Sequence, residues 1–420
     1  MDIRATVGSE RDEALRPQRL LYETRMHAEG KRDLVLRQSY RHVLLTGATG
    51  YLGSYLLREL LADPTITVSA LVRSSDHQSA RTRLGHVLSG YFGLEAGAML
   101  RDNTRLNVFG GDLRDAEFLL SNEDYGLLSE SVDAIYHCAA NVNHIGLYRD
   151  FLDDNVDATR HLLTLAALRK PNPSDFHFIS TLSVFGNPTA NRLRLYTEYD
   201  FAPDTPDDNY YIRTKQEAER LVIASRGELA NACIHRVGNV AFASDSTVLQ
   251  HNISDNAFFR QLVAFIRLGV LPVELKASLS HVDVVARSLV ALAGRKTLTN
   301  EIHHIETSRR DRLADLMLAA EGMEKIVRTC DIGEFLQRLQ DAIDEPDMEA
   351  ALAETVDNYR LQTDASLLSR THGVVVTSDR TQLLLERLGI IWPAIPVEGA
   401  RILMNAALQT IHADTLTHNR

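Results

Sequence analysis

The chain has 420 residues, of which 45% are hydrophobic and 24% are charged, and its formal net charge is -11. This balance is typical of a folded globular protein, and the length favours one large domain with a smaller one appended. The acidic charge argues against a nucleic-acid partner and against a general affinity for anionic lipid. The sequence shows neither a membrane-spanning apolar run nor a signal peptide, so we expect a cytoplasmic protein.

Three cysteines, Cys138, Cys233 and Cys330, are far apart and form no Cys-x-x-Cys pair. This spacing predicts neither a disulfide framework nor a zinc site. His137 stands next to Cys138, but a strand without companion ligands favours packing over metal binding. We therefore expect no metal and interpret the cysteines as small buried apolar residues.

Residues 1–41 are polar and arginine-rich, and they predict a lead-in segment with helical stretches. From residue 42 the runs HVLLTG, YLGSYLLRELLA and ITVSALV follow as strand, helix and strand. This alternation continues to ANACIHRVGNV and predicts an α/β domain over residues 42–245, a doubly wound parallel sheet of the Rossmann type. Residues 246–420 are mainly helical and predict a smaller substrate domain, with segments 278–293 and 301–306 returning to the sheet.

The turn GATGYLG lies between the first predicted strand and the first helix of the sheet domain. Its glycines let the backbone approach a pyrophosphate, and the helix N-terminus offers free N–H groups and a positive dipole end. A glycine triplet also fits a plain strand-to-helix turn, but the flanking elements favour a dinucleotide site. The predicted contacts in this turn are Gly47, Thr49, Gly50, Tyr51, Leu52 and Gly53.

The second strand ends in Arg73, where NAD-binding proteins commonly place Asp or Glu for the ribose 2′-hydroxyl. A guanidinium suits a 2′-phosphate, so we expect NADPH, with Arg83 assisting; both arginines also fit solvated surface charges. The remaining predicted cofactor contacts follow later strands, with Lys215 added from a helix. They are Asp112, Leu113, Ala139, Ala140, Asn141, Lys215, Val237 and Asn239.

In DNYYIRTKQEAE, Tyr211 and Lys215 are one helical turn apart and share a helix face, whereas Tyr210 lies roughly a hundred degrees away. A tyrosine normally loses its proton near pH 10, so we expect Lys215 and an oxidised nicotinamide to lower the pKa of Tyr211 (about 10 unperturbed). Thr181 ends a predicted strand, and Asn155 opens a helix. Tyr-x-x-x-Lys alone is common on helix surfaces, so its meaning depends on these companions.

Together these motifs resemble the extended short-chain dehydrogenase/reductase family. The matching stretches are the glycines 47, 50 and 53, Asp112-Leu113, His-x-Ala-Ala at 137–140, Asn155, the run 180–186, Tyr211 with Lys215, and Arg-Val-Gly-Asn at 236–239. The resemblance implies a catalytic triad of Thr181, Tyr211 and Lys215, with Asn155 holding a proton-relay water or the local backbone. The family usually has proline where Val237 stands, which bears on the loop that touches the carboxamide.

The finer resemblance, from residue 42 onward, is to thioester reductase domains that terminate nonribosomal peptide and polyketide synthetases, and to carboxylic acid reductases. It is carried by LLTGATGYLGSYLLRELL, LVRSSD, DAIYHCAANVNH, FISTLSVFG, YIRTKQEAERLV and SHVDVVARSLVAL with EIHHIET. It implies NADPH-dependent reduction of an acyl or peptidyl thioester to an aldehyde, with further reduction to an alcohol left open. The substrate would arrive on the phosphopantetheine arm of a carrier protein.

An acidic carrier protein would need a basic docking patch. SRRDRL supplies Arg309, Arg310 and Arg312 for this purpose, and the same stretch also fits a solvated charged turn.

Three alternatives stay open. A fatty acyl-CoA reductase would share every catalytic residue and differ in what the C-terminal region holds. The second alternative is a sugar-nucleotide epimerase or another enzyme of the superfamily that acts on a small carbonyl. The epimerases usually retain NAD and place an acid where Arg73 stands. A sensor that binds NADPH without turnover would not need Thr181, Tyr211 and Lys215 together.

Overall fold

The computed structural model describes residues 3–30, 32–38, 40–143, 146–186, 193–203, 209–273, 275–318, 320, 322–343 and 373–418. Its strands are β1 (His42–Thr46), β2 (Thr67–Arg73), β3 (Leu106–Gly111), β4 (Ala134–His137), β5 (Asp175–Thr181), β6 (Leu193–Tyr196), β7 (Ala232–Val237), β8 (Val270–Pro272), β9 (Lys276–Ala277), β10 (Ile302–Ile305), β11 (Asp311–Arg312), β12 (Arg328–Cys330) and β13 (Gly373–Val376).

The helices are α1 (Ile3–Glu29), α2 (Tyr51–Ala62), α3 (His77–Phe92), α4 (Leu94–Arg101), α5 (Asn122–Ser131), α6 (Tyr148–Phe151), α7 (Ala158–Leu168), α8 (Tyr210–Ala224), α9 (Ala257–Leu268), α10 (Val282–Ala293), α11 (Leu313–Leu318), α12 (Ile332–Ile343), α13 (Asp379–Arg387) and α14 (Val397–His418). A π-helical turn covers Leu152–Asp157, and 3-10 turns cover Leu182–Phe185, Ser225–Gly227, Ile253–Asp255 and Met323–Lys325.

Within the described residues, seven parallel strands form one sheet in the order β10-β7-β5-β4-β1-β2-β3. Helices cover both faces of such a sheet, so its strands are continuous apolar runs, as in β5, where every residue before Thr181 is buried. The strand order reverses between β1 and β4. This arrangement confirms the predicted doubly wound sheet and places a ligand crevice beyond the C-terminal ends of β1 and β4.

Helix α2 covers the sheet next to this crevice. Leu56 and Leu60, one turn apart, are almost fully buried, and the helix packs against α10. Of the two segments predicted to return to the sheet, 301–306 supplies β10, which pairs with β7, whereas 278–293 supplies α10. The return to the sheet is therefore a helix followed by a strand.

The C-terminal region forms a second apolar core around Phe259, Phe265, Phe335 and Met404, on α9, α12 and α14. Short strand pairs supplement it, β8 with β12 and β9 with β11. This confirms the predicted smaller, mostly helical part. The boundaries after residues 41 and 245 stay predictions, and residues 344–372 of the predicted substrate domain, like His144 of the resemblance, lie outside the described residues.

Helix α1 packs against the fold beside β6. Its residues Leu15 and Tyr22 are buried, and the Tyr22 hydroxyl donates to Glu198 at 2.8 Å. The apolar residues of this helix made no convincing stripe in the sequence, so this contact was missed. In the part of the chain that the structure describes, none of the helices has both the length and the apolar character to cross a membrane.

Candidate active site

The glycine turn after β1 is shaped by backbone contacts that leave no room for side chains. Gly47 has φ +77°, and a Cβ there would lie 2.6 Å from the Ala139 nitrogen. A Cβ on Gly53 would lie 1.9 Å from the Gly47 carbonyl oxygen. Backbone atoms this close cannot be moved aside by rotating a side chain, so both positions need glycine. The turn therefore lies against the segment that follows β4, at the predicted crevice.

Helix α2 begins directly after this turn, with Gly50 as its N-cap and without a capping side chain. The first N–H groups of a helix have no partner within it, and the helix dipole is positive at that end. Thr49 is half-buried in the turn, Leu52 packs against the core, and the Tyr51 hydroxyl donates to the Val248 carbonyl at 2.9 Å. This cradle fits a dinucleotide pyrophosphate, which the backbone can approach closely.

The ends of β2 and β3 lie on one side of the turn. Arg73 is exposed at the end of β2, and Arg83 donates from Nη1 to the Arg73 carbonyl at 2.8 Å. Asp112 follows β3 with Leu113, and hydrogen bonds from Arg114 lower the pKa of Asp112, with a smaller contribution from the charge of Arg73. The structure therefore brings both predicted arginines and Asp112 to the same edge of the sheet.

Asn155 is buried in the π-helical turn and holds the segment that follows β4. Its Oδ1 accepts from the Asn141 N–H at 2.7 Å, and its Nδ2 donates to the Asn141 carbonyl at 3.2 Å. The same Nδ2 donates to the Thr214 hydroxyl at 3.0 Å, which ties this segment to α8. Of the two roles considered for Asn155, these contacts are those of a backbone-holding residue. Sequence reasoning missed Thr214, because its partner is known only from the fold.

His137 ends β4 and is also part of this framework. Its ring nitrogens lie 2.8 Å from the Thr46 hydroxyl and 3.2 Å from the Thr159 hydroxyl, and the Ala139 N–H donates to Thr46 at 3.3 Å. Burial lowers the pKa of His137 to about 3, so the ring is neutral. These contacts are those of a packing residue. Ala139 and Ala140 are both half-buried, and the Ala139 backbone lies against Gly47 in the glycine turn.

Thr181 and Tyr211 meet at the end of β5. Asn209 caps α8 by accepting from the Ile212 N–H at 3.2 Å, so the helix begins at the two tyrosines. The Tyr211 hydroxyl shares a hydrogen bond with the Thr181 side chain, which also accepts from the Ser183 N–H at 3.1 Å. Two residues 30 positions apart are thus brought into direct contact by the packing of α8 on β5.

Lys215 lies one turn further along α8 and is buried. Its Nζ donates to the Ile179 carbonyl at 2.7 Å and lies 4.0 Å from the centre of the Phe178 ring. Burial lowers the pKa of Lys215 to about 8, and the carboxylate of Glu219 partly offsets this change.

The expectation that Lys215 lowers the pKa of Tyr211 is wrong in this structure. Burial raises the pKa of Tyr211 to about 12, and the hydrogen bond with Thr181 offsets only part of that increase. The free energy needed to remove a phenolate from water exceeds the stabilisation that the neighbouring groups give it. Lys215 directs its hydrogen bond to the Ile179 carbonyl. Tyr211 is therefore a protonated hydroxyl at neutral pH, the form that can give up a proton.

Tyr210 has a different environment from its neighbour. Its ring makes edge contacts with Tyr148 and Phe151, at centroid distances of 5.4 and 6.2 Å, and 39% of the residue is exposed. These contacts are those of a residue that packs beside the site.

A cleft of about 420 Å³ opens beside Thr181, between the sheet and the C-terminal region. Polar, charged and apolar residues line it, among them Thr181, Ser183, Val237, Asn239, Phe258, Gln261, Lys276, Glu306, Arg310 and Leu313. A concave site of this size with a few polar groups is typical of small-molecule binding. Val237 and Asn239, two predicted cofactor contacts, share this cleft with Thr181.

The predicted docking patch is not a purely basic surface. Each arginine has a carboxylate partner: Arg309 with Asp311 at 3.6 Å, Arg310 with Glu306 at 2.9 Å, and Arg312 with Asp315 at 2.9 Å. Positive and negative charges therefore match across this stretch. Arg310 differs from the other two because it lines the cleft and donates to the Ser278 hydroxyl at 2.8 Å.

Comparison with known proteins agrees with this geometry. A family model described as Male sterility protein matches residues 45–293. A linear gramicidin synthase protein of Brevibacillus parabrevis is 28% identical over 362 residues, which make up 86% of this chain and 7% of that protein. Fatty acyl-CoA reductase 1 of Homo sapiens is 33% identical over 224 residues, 47% of this chain and 42% of that protein. The chain thus spans less than half the length of either relative.

One solved structure extends the likeness over nearly the whole chain. The terminal R domain from the myxalamid PKS-NRPS biosynthetic pathway aligns with a TM-score of 0.69 and 26% identity, over 92% of this chain and 97% of that one. This confirms the resemblance to terminal domains of such synthetases. The family match covers more than half of the 420 residues and includes the glycine turn, Thr181, Tyr211 and Lys215. The chain therefore belongs to the Male sterility protein family, and its NAD-binding domain is one that takes a nicotinamide cofactor.

Proposed function

We propose that the protein is an NADPH-dependent reductase that releases an aldehyde from an acyl or peptidyl thioester on a carrier protein. The observation that carries this proposal is the contact between Thr181 and the protonated Tyr211, beside the cleft and next to the cofactor crevice. Two hydroxyl groups at this place suit the reduction of a carbonyl group. The likeness to a terminal R domain and to the linear gramicidin synthase protein supports a substrate held by a synthetase.

The glycine turn would hold the pyrophosphate of NADPH, and Arg73 with Arg83 would hold its 2′-phosphate. When bound, NADPH supplies the hydride for the carbonyl carbon. Thr181 and Tyr211 donate hydrogen bonds to the carbonyl oxygen, where negative charge develops. Because the pKa of Tyr211 is about 12, its proton stays in place until that charge appears and then passes to the oxygen.

Lys215 and Asn155 organise the surroundings of this step. A protonated lysine has three N–H donors, and one of them is directed at the Ile179 carbonyl. We propose that Lys215 also binds the nicotinamide ribose, while Asn155 fixes the Asn141 backbone beside it. The product of carbonyl reduction is a hemithioacetal. Cleavage of its C–S bond gives the aldehyde and the free thiol.

An acyl-CoA reductase is the second candidate, favoured by the match to fatty acyl-CoA reductase 1. That match extends over 224 residues, whereas the match to the linear gramicidin synthase protein extends over 362 and reaches further across the chain. We therefore consider carrier-bound thioesters the better candidate substrates.

The test is to incubate the protein with NADPH and matched thioesters on carrier protein and on coenzyme A, following NADPH absorbance and product. Turnover of a sugar nucleotide or ketone, with none of either thioester, would overturn the proposal.

Replacing Arg73 with alanine is expected to weaken NADPH binding by about 10- to 100-fold, the value of a charge-assisted hydrogen bond to phosphate. NADH binding should change by less than about twofold, because NADH lacks the 2′-phosphate. Fluorescence titration of both cofactors measures the two constants. Arg101→Ala, which removes an exposed arginine paired with Asp102, is the control and should change neither. An equal loss of affinity for NADPH and NADH would contradict the proposed binding of the 2′-phosphate by Arg73.

The docking patch stays a proposal, with the carrier's acidic groups replacing Asp311 and Asp315 as partners of Arg309 and Arg312. The variant Arg309→Glu/Arg312→Glu should raise KM for a carrier-bound thioester by about 10-fold, mainly through slower association. KM for a short free thioester should be unchanged. Arg310 is left intact because it lines the cleft. Equal effects on both substrates, or no effect on either, would contradict docking at this patch.

A further inference from the structure

A buried ion pair connects three elements that carry the candidate site. Glu219 on α8 and Arg236 on β7 are both inaccessible to solvent. The guanidinium binds both carboxylate oxygens, with Nε 3.0 Å from Oε1 and Nη2 2.7 Å from Oε2. The Ser180 hydroxyl on β5 donates to the same Oε1 at 2.6 Å. Strands β5 and β7 and helix α8 therefore meet at a single carboxylate.

Each member of this group is close along the chain to a residue of the candidate site. Ser180 directly precedes Thr181, and Arg236 directly precedes Val237. Glu219 lies one helical turn beyond Lys215, so the two side chains share a face of α8. A shift of the carboxylate would therefore move the strand end that holds Thr181 and the helix that holds Lys215.

Arg236 makes two further polar contacts. Its Nη1 donates to the Asp200 carbonyl at 2.9 Å and lies 3.2 Å from His304 Nε2. Burial lowers the pKa of His304 well below its usual range, so that ring accepts as a neutral imidazole. A buried ion pair is often no more stabilising than apolar side chains of the same volume, because both charges lose their hydration. A contribution to folding stability therefore gives little reason for this buried ion pair. Its ability to fix the relative positions of β5, β7 and α8 gives a better one.

The same carboxylate acts on Lys215 electrostatically. The titratable groups that influence Lys215 are Glu219 on its own helix and Cys138 after β4, and His137 at the end of β4 feels the lysine charge in turn. Burial lowers the pKa of Lys215 to about 8, and Glu219 is the larger of the two groups that raise it. Removing the charge of Glu219 would thus favour the neutral lysine.

We propose that Ser180, Glu219 and Arg236 form a positioning unit that holds Thr181 and Lys215 in their relative placement across β5 and α8. The inference rests on the proposed function, in which Thr181 and Lys215 act on the substrate and cofactor. Ser180, Glu219 and Arg236 act through these neighbours.

The first test compares Ser180→Ala with Ser180→Thr, since both variants leave the ion pair in place. Ser180→Ala is expected to lower kcat by about 10-fold, because small displacements of a catalytic group cost up to about 100-fold. KM and the NADPH dissociation constant should stay within about twofold, and Ser180→Thr, which keeps a hydroxyl, should restore kcat to within about threefold.

Ser288→Ala is the matched control, because it removes a buried hydroxyl that binds the Val284 carbonyl at 2.7 Å on α10, outside the site. Its kcat should equal that of the wild type. A wild-type kcat for Ser180→Ala, or a Ser180→Thr variant no faster than Ser180→Ala, would overturn the inference.

The second test is the pH dependence of kcat in Glu219→Gln/Arg236→Met, which removes both charges of the ion pair together, so that neither partner is left buried without the other. Without Glu219 the pKa of Lys215 falls, so the alkaline loss of activity should move to lower pH by about half a unit or more. Circular dichroism confirms the fold of the variant. An unshifted alkaline limb in a folded variant would overturn the inference, and the Ser180 comparison decides the question if this variant does not fold.

The activity of the wild type distinguishes a failure of this inference from a failure of the proposed function. If the wild type reduces thioesters and Ser180→Ala is unaffected, only the positioning unit is wrong. If the wild type reduces no thioester, the proposed function is wrong, and the Ser180 comparison is made with a free aldehyde and NADPH. A wild type that reduces neither substrate would contradict both.

Discussion

Replacing Tyr211 with phenylalanine is expected to lower kcat for thioester reduction by about 10²- to 10⁴-fold, the usual contribution of a general acid. The substitution keeps the ring and removes the hydroxyl that contacts Thr181. Since the pKa of Tyr211 is about 12, this hydroxyl carries its proton throughout the neutral range. Thr181 can still donate one hydrogen bond to the substrate oxygen, but a threonine hydroxyl is a poor source of the proton, so binding should persist while turnover fails.

Tyr210→Phe is the matched control, because it removes the same hydroxyl from the adjacent residue. The edge contacts of the Tyr210 ring with Tyr148 and Phe151 need no hydroxyl. Its kcat should stay within about twofold of the wild type, the scale of a substitution away from the reacting groups. Steady-state kinetics with one thioester and NADPH measures both variants. A Tyr211→Phe enzyme that keeps most of its kcat, or two variants that lose equal activity, would remove Tyr211 from the role of acid.

Replacing Gly53 with alanine is expected to abolish useful NADPH binding and to destabilise the fold. The added Cβ would lie 1.9 Å from the Gly47 carbonyl oxygen, so the turn and the start of α2 must separate. Overpacking of this kind costs about 1–3 kcal/mol of unfolding free energy, or more where backbone is involved. The displaced backbone can no longer surround a pyrophosphate, so we expect the dissociation constant of NADPH to rise by about 100-fold or more.

Gly126→Ala is the control for the same substitution. Gly126 lies inside α5, and a Cβ there would meet no atom within 4 Å. Alanine favours a helix over glycine by about 0.5–1 kcal/mol, so this variant should be slightly more stable than the wild type and bind NADPH equally well. Denaturant unfolding and fluorescence titration measure both quantities. Wild-type NADPH affinity in Gly53→Ala would contradict the assignment of the turn.

The sheet and the glycine turn could be predicted because they depend on local pattern. Apolar runs of β1 and β5, buried on both faces, and the spacing of Gly47, Gly50 and Gly53 are visible without tertiary information. The pairing of Tyr211 with Lys215 followed from helical geometry. The hydrogen-bond partners of these two residues could not be predicted in this way. Tyr211 shares a hydrogen bond with Thr181, and Lys215 donates to the Ile179 carbonyl. The rise in the pKa of Tyr211 could not be predicted, because burial is a property of the fold.

Other features were missed for different reasons. Asp311 lies between the docking arginines and Asp315 follows Arg312 by three positions, so both acids were visible in the sequence, where only the arginines were weighed. Glu219 and Arg236 lie on a helix and a strand that no local pattern brings together. Their pairing, which also involves Ser180, depends on the packing of α8 against β5 and β7.

We propose that this site transfers hydride from NADPH to a thioester carbonyl and releases the thiol. The most direct measurement uses NADPH deuterated at the transferable position and an acyl thioester on a carrier protein, with mass spectrometry of the product and titration of the thiol. We predict one deuterium at the aldehyde carbon, and one thiol released for each NADPH consumed. An aldehyde without deuterium, or loss of NADPH without thiol release, would contradict the claim.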